Sequence, residues 1–149
     1  MALATRDAQV TWEGTLGGGH GQIAMGSGAT QSLPMEWASR SEGAEGTTSP
    51  EELLAAAEAG CYAMALALGL ARNGTPAERL AVRCVCELDK RDGEPEYVIS
   101  RLAVEVGARV PGLDEATFQH LVERAEANCP ISVALAARVP IELSATLEG

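Results

Sequence analysis

The chain has 149 residues, 46% of them hydrophobic and only 3% aromatic, and a formal net charge of -10. That length suits a single domain, residues 1–149, whose core is built from Leu, Val, Ile and many small Ala side chains that favour close helix packing. The acidity argues against nucleic acid and against an anionic membrane surface as partners, because both are held through Lys and Arg. No segment reads as an uninterrupted apolar run long enough to span a bilayer, and residues 1–9 have no apolar signal region, so a cytoplasmic location is expected. In that compartment the four cysteines are thiols by default, and a disulfide among them would be transient and catalytic.

Val10 to Leu16 alternates and carries Thr and Trp, which predicts a strand. The Gly17-Gly18-Gly19 turn leads to a second strand at Gly21–Met25. After Gly26-Ser27-Gly28 a third short strand is expected near Thr30–Leu33. Together they read as an antiparallel meander. The glycine run lacks the Lys and following helix of a phosphate-binding loop. Residues 37–48 are polar and Gly-rich and read as a loop. Ser49-Pro50-Glu51-Glu52 then announces a helix: Ser49 as N-cap, Pro50 at the first helical position, and Glu52 to complete a capping box. Leu53, Ala57, Cys61, Met64 and Leu68 recur at helical spacing to about Arg72, where Asn73-Gly74 stops the helix. This helix is apolar over most of its circumference, so it belongs in a core or an oligomer interface.

Leu80–Asp89 and Tyr97–Val110 alternate as two strands around an Asp92-Gly93 turn. Asp114 caps a second helix bearing Phe118, Leu121, Val122 and Ala125. Pro130 breaks it and opens a short third helix through Ala136, with Cys129 at the N-cap. A last strand at Val139–Leu147 completes a fold of the α+β class.

Four residue groups carry possible chemistry. Cys61 on the apolar helix reads either as a small buried hydrophobe or as a nucleophile, and the second reading needs a nearby cation to favour the thiolate. Arg40, just before the helix, is the candidate cation. Glu51 shares a helix face with Cys61 but lies about 15 Å from it along the axis, so it serves as an anchor for an Arg or simply as a first-turn acid. Cys129, as an N-cap, faces unpaired backbone N–H groups that favour a thiolate. Spacing alone leaves open whether Cys61 and Cys129 meet. Cys84 and Cys86 lie on one face of a strand and read as core residues. His20 and His120 show no ligand spacing, so no metal is expected.

These residues resemble the OsmC/Ohr family of thiol-dependent peroxidases, and its OsmC branch more closely. The resemblance rests on Trp12-Glu13-Gly14, on Ser39-Arg40-Ser41-Glu42-Gly43, and on Gly46-Thr47 leading into Ser49-Pro50-Glu51-Glu52-Leu53. It continues through the helix from Ala55 to Leu66, through Val110-Pro111-Gly112-Leu113, and through Asn128-Cys129-Pro130-Ile131-Ser132. It implies an OsmC-like fold, with antiparallel β-sheets wrapped around two central helices in an intertwined homodimer. It implies Cys61 as the peroxidatic and Cys129 as the resolving cysteine, with Arg40 stabilising the Cys61 thiolate and Glu51 holding the guanidinium.

The activity expected from this is reduction of organic hydroperoxides, and of hydrogen peroxide more weakly. It needs no cofactor beyond an external dithiol or lipoyl-type reductant. Met64, Leu68 and Ile131 are the expected apolar substrate pocket. Two other classes stay open: a small-molecule-binding or stress-associated homodimer with structural cysteines, and a cysteine-based redox sensor. The second lacks an evident DNA-reading surface.

Overall fold

The N-terminal strands β1 (Ala8–Glu13), β2 (His20–Met25) and β3 (Leu33–Met35) form an antiparallel three-stranded sheet in the order β1-β2-β3. The computed structural model describes residues 1–43, 45–90, 92–93 and 97–148. The expected meander is therefore present, with β3 a few residues later than its sequence position predicts. Trp12 pairs directly with Gly21. A Cβ at Gly21 would meet the Trp12 ring at 3.0 Å, so the glycine makes room for the aromatic lying across it.

Part of the loop expected over 37–48 is a one-turn helix, α1 (Trp37–Ser41), and position 44 lies outside the described residues. No apolar periodicity announces α1, because it is held by local polar bonds. Ser39 Oγ accepts the Glu36 N–H at 3.2 Å and contacts the Thr48 carbonyl as donor at 2.7 Å.

Helix α2 (Pro50–Arg72) runs between the expected limits. Ser49 Oγ accepts the Glu52 N–H at 3.1 Å, as an N-cap should, and the Glu52 carboxylate accepts from the Thr48 hydroxyl at 2.6 Å. At the other end Gly74 takes φ +81. There the Gly74 N–H bonds to Ala71 O and the Thr75 N–H to Leu70 O, satisfying two terminal carbonyls. By length and composition alone α2 could cross a membrane, which corrects the expectation that no segment could. A single Glu58 interrupts the stretch between Leu53 and Ala71 and leaves it apolar enough.

Two compact units emerge, Met1–Leu53 and Leu54–Gly149, with the division inside α2. In the second, β4 (Arg79–Asp89) pairs antiparallel with β5 (Val98–Arg109), with a register shift at Glu87/Leu88. β6 (Ile141–Glu148) then pairs with β5 in parallel, so this sheet is mixed rather than wholly antiparallel. The reason is the connection: α3 (Glu115–Asn128) and α4 (Pro130–Leu135) lie between β5 and β6, a crossover long enough to return the chain in the same direction. Arg101 donates to both Glu87 and Glu142 and so ties β5 to its two neighbours.

The core of this unit joins three surfaces. Tyr62, Leu66 and Leu70 come from α2, Val104, Val106 and Ala108 from β5, and Phe118, Leu121, Val122 and Ala125 from α3. Tyr62 has no exposed surface, and its hydroxyl donates to Val122 O at 2.8 Å across the helix pair. Burial and the neighbouring charges of Glu126, Cys129 and Glu58 push its pKa up, so it stays a neutral donor. Asp114 caps α3 as expected, accepting the Thr117 N–H at 2.9 Å. Phe118 sits wholly buried at the centre. Phe118→Ala is expected to lower unfolding stability by about 3–5 kcal/mol, measured by urea unfolding with an unchanged m-value.

Candidate active site

Cys61 is half-buried on α2, and Cys129 is fully buried where α3 ends and α4 begins. Pro130 has no N–H to give to α3, so the ladder stops there. At the first position of α4 that lack does no harm. Cys129 thus closes one helix and caps the next, and its Sγ accepts the Ser132 N–H at 3.5 Å. Every cysteine is reduced. The Cys61 thiol lies near that of Cys129 and near the Ile131 N–H, close enough for both to act on its ionisation. Two cysteines whose meeting the spacing left open are therefore neighbours.

The second unit by itself favours the neutral Cys61 thiol. Burial pushes its pKa up first, the hydrogen bond with Cys129 raises it further, and the charges of Cys129 and Glu58 act the same way. Only the Ile131 N–H works against them. A nucleophilic Cys61 then requires a cation in addition to these groups.

In the first unit Arg40 and Glu51 form the ion pair that the resemblance implies. Arg40 Nε donates to Glu51 Oε1 at 2.8 Å, and the guanidinium lies 5.8 Å from the Trp37 ring centroid. The Glu51 side chain is 9% exposed and that of Arg40 33%. Glu51 thus does more than complement a helix end: it fixes the direction of one guanidinium, and Trp37 offers the cation a ring face. Glu51 Oε2 is buried with no hydrogen-bond partner among the described residues.

The expected pocket of Met64, Leu68 and Ile131 is not enclosed within one chain. Met64 is 70% and Leu68 50% exposed, while Ile131 is half-buried beside Cys61. The reason is rotational. The buried stripe of α2 is Glu58, Tyr62, Leu66 and Leu70, and Met64 lies about 200° around the helix from Tyr62, facing away from this core. Leu68 does border a cleft of about 360 Å³ between α2 and α3, together with Arg72, Leu121, Arg124 and Asn128.

Sequence reasoning missed Glu58 and Ser132. Glu58 is fully buried, and its Oε1 accepts from the Ser132 hydroxyl at 2.5 Å. The available signal was a lone acid inside an apolar helix, three residues before Cys61, and a serine three residues after Cys129. Cys84 and Cys86 pair with Val104 and Leu102 across β4 and β5, and Cys84 packs against the core. Burial, then Glu58 and Cys86, push the Cys84 thiol up to about 11. No group of three or more His, Cys, Asp or Glu among the described residues is arranged to hold a metal ion.

The chain is a mixed α+β protein with a three-stranded meander, a long apolar helix and a buried cysteine at a helix junction. Residues 43–144 match the family described as OsmC-like protein, and the chain belongs to that family. It is 34% identical to peroxiredoxin OsmC of Escherichia coli strain K12 over 137 residues, covering 92% of this chain and 94% of that one. Among solved structures it superposes on an organic hydroperoxide resistance protein OsmC from Legionella pneumophila with a TM-score of 0.76 at 25% identity, covering 98% and 99% of the two chains. It also superposes on the organic hydroperoxide resistance protein OhrB of Bacillus subtilis with a TM-score of 0.71 at 26% identity, covering 97% and 100%.

Proposed function

We propose that this protein is a thiol-dependent peroxidase that reduces organic hydroperoxides, and hydrogen peroxide more weakly, through the Cys61–Cys129 pair. The observation that carries the reading is the proximity of the two thiols. Relatives named as a peroxiredoxin and as organic hydroperoxide resistance proteins support it. The Cys61 thiolate attacks the distal peroxide oxygen. The O–O bond breaks, the sulfur gains the oxygen as a sulfenic acid, and the alkoxide leaves with a proton as an alcohol. The Cys129 sulfur then displaces hydroxide from the Cys61 sulfur to form the disulfide, and an external dithiol restores both thiols by exchange. Arg40, aimed by Glu51, is the proposed cation for the thiolate and the donor to peroxide oxygens.

The working form is proposed to be a homodimer. Ala57, Gly60, Met64, Leu68 and Ala71 leave an apolar face of α2 exposed, and β1 is exposed along its whole length. A second copy would cover that face and complete the apolar pocket begun by Met64, Leu68 and Ile131.

One equivalent of cumene hydroperoxide added to the reduced protein is expected to yield a Cys61–Cys129 disulfide, read by peptide mass spectrometry. Cys84 should remain reduced, because a thiol near 11 is almost wholly protonated at neutral pH. The rival reading, a binding dimer with structural cysteines, draws support from the raised Cys61 pKa. Four thiols still free after minutes would end the peroxidase reading and favour that rival.

A further inference from the structure

Disulfide formation from a sulfenic acid and a thiol moves a proton, and one group beside the two cysteines has no assigned task. Glu58 has no exposed surface. It sits one helical turn before Cys61, and no cation pairs with it among the described residues. Its Oε1 is bonded to the hydroxyl of Ser132, whose own N–H is bonded to Cys129 Sγ. One residue therefore touches both the carboxyl and the resolving sulfur. Glu58 Oε2 is buried and has no hydrogen-bond partner among the described residues. A buried carboxyl without a cation is costly to keep, and an unpartnered oxygen on it is a proton site left open.

We propose that Glu58 carries the proton in the disulfide-forming step: its carboxylate takes the proton of the Cys129 thiol and returns it to the hydroxide that leaves the Cys61 sulfenic acid. This rests on the peroxidase reading above. The balance closes within the site. Cys129 loses its proton to Glu58, a sulfur–sulfur bond forms as the sulfur–oxygen bond of Cys61 breaks, and the proton leaves on oxygen as water. The cysteines become a disulfide, the sulfenic oxygen departs as water, and Glu58 ends as it began. The buried site never has to hold two negative charges together, which like charges at short range resist.

The other titratable groups around Glu58 do not compete for this task. Tyr62 is committed as a donor to Val122 O. Cys84, on β4, is held protonated by burial. Cys61 enters the step already oxidised.

The test mixes one equivalent of cumene hydroperoxide with the reduced parent, with Glu58→Gln, with Ser132→Ala and with Cys129→Ser. Trapped Cys61 sulfenic acid and disulfide are then followed by mass spectrometry from about pH 6 to about pH 9. Glutamine keeps the shape and can still accept from Ser132, but it cannot take a proton. Near neutral pH, Glu58→Gln is expected to accumulate sulfenic acid as Cys129→Ser does, with disulfide formation slowed about 10²-fold. Unlike Cys129→Ser, it should recover about tenfold per pH unit as hydroxide replaces the carboxylate. Ser132→Ala, which loosens the carboxyl without removing it, should lose less and keep the parental pH profile.

A parental disulfide rate in Glu58→Gln would overturn the proposal. So would a loss in Glu58→Gln that is the same at every pH, since that marks displacement of Ser132 rather than a missing proton carrier. If the parent itself forms neither sulfenic acid nor disulfide, the peroxidase reading fails, and this inference with it.

Discussion

Cys61→Ser is expected to abolish hydroperoxide reduction, with turnover at least about 10³-fold below the parent. The nucleophile must be an anion, and a serine hydroxyl ionises far less readily than a thiol. Nor does an alkoxide displace oxygen from oxygen to give a stable, reducible intermediate. Neither Cys84 nor Cys129 can substitute. Cys84 is held near 11 on the strand face, and Cys129 is wholly buried.

Cys129→Ser makes the complementary case. It should consume about one equivalent of peroxide per subunit and stop with Cys61 as a sulfenic acid, exposed to further oxidation when peroxide is in excess. The fold should survive, because serine is at least as good an N-cap as cysteine and can still accept the Ser132 N–H. Peroxide consumption under dithiol recycling, with mass spectrometry of the stalled variant, reads both. Parental turnover by Cys61→Ser would mean that these thiols are structural.

The second large effect is electrostatic. The second unit pushes Cys61 up through burial, Cys129 and Glu58. If Arg40 is the cation that reverses this, Arg40→Met leaves only the Ile131 N–H to favour the anion and raises the Cys61 pKa. An opposite charge at short range shifts a pKa by about 1–3 units, so the thiolate fraction at neutral pH should fall by about 10- to 10³-fold, and the peroxide-reduction rate with it. The sign is clear in the pH profile. The parent rate should level off near neutral pH. The variant rate should keep climbing, about tenfold per pH unit, toward a pKa above the ordinary cysteine value.

Glu51→Gln should cost less, because it leaves the cation in place and removes only the charged partner at 2.8 Å that aims it. Alkylation of Cys61 against pH, by a small iodoacetamide pulse with peptide mapping, measures the pKa directly. Identical Cys61 titrations in parent and Arg40→Met would remove Arg40 from the mechanism.

Local chemistry makes much of this protein legible in the order of its residues. The limits of α2 follow from Ser49, Pro50 and the Asn73-Gly74 stop, each acting within one turn of its own position. The cap of α3 by Asp114, its buried face of Phe118, Leu121, Val122 and Ala125, and the break at Pro130 are equally local. The helix limits and caps depend on dihedral preferences and hydrogen bonds that span a few residues, and these are written in the sequence itself. The Arg40–Glu51 pair came instead from the family resemblance, since Glu51 by itself reads as a first-turn acid.

Other features were decided only by the tertiary structure. A helix apolar all round gives periodicity no face to choose, so the stripe of Glu58, Tyr62, Leu66 and Leu70 was hidden beside Met64 and Leu68. The one-turn helix α1 depends on Ser39 reaching Thr48, and the parallel pairing of β6 with β5 depends on where the α3–α4 crossover returns the chain. The meeting of Cys61 with Cys129, and the seat of Glu58 against Ser132, are contacts between residues about 70 positions apart. Nothing local encodes such a contact. Burial of the shared core creates it, and with it the pKa values that govern the chemistry.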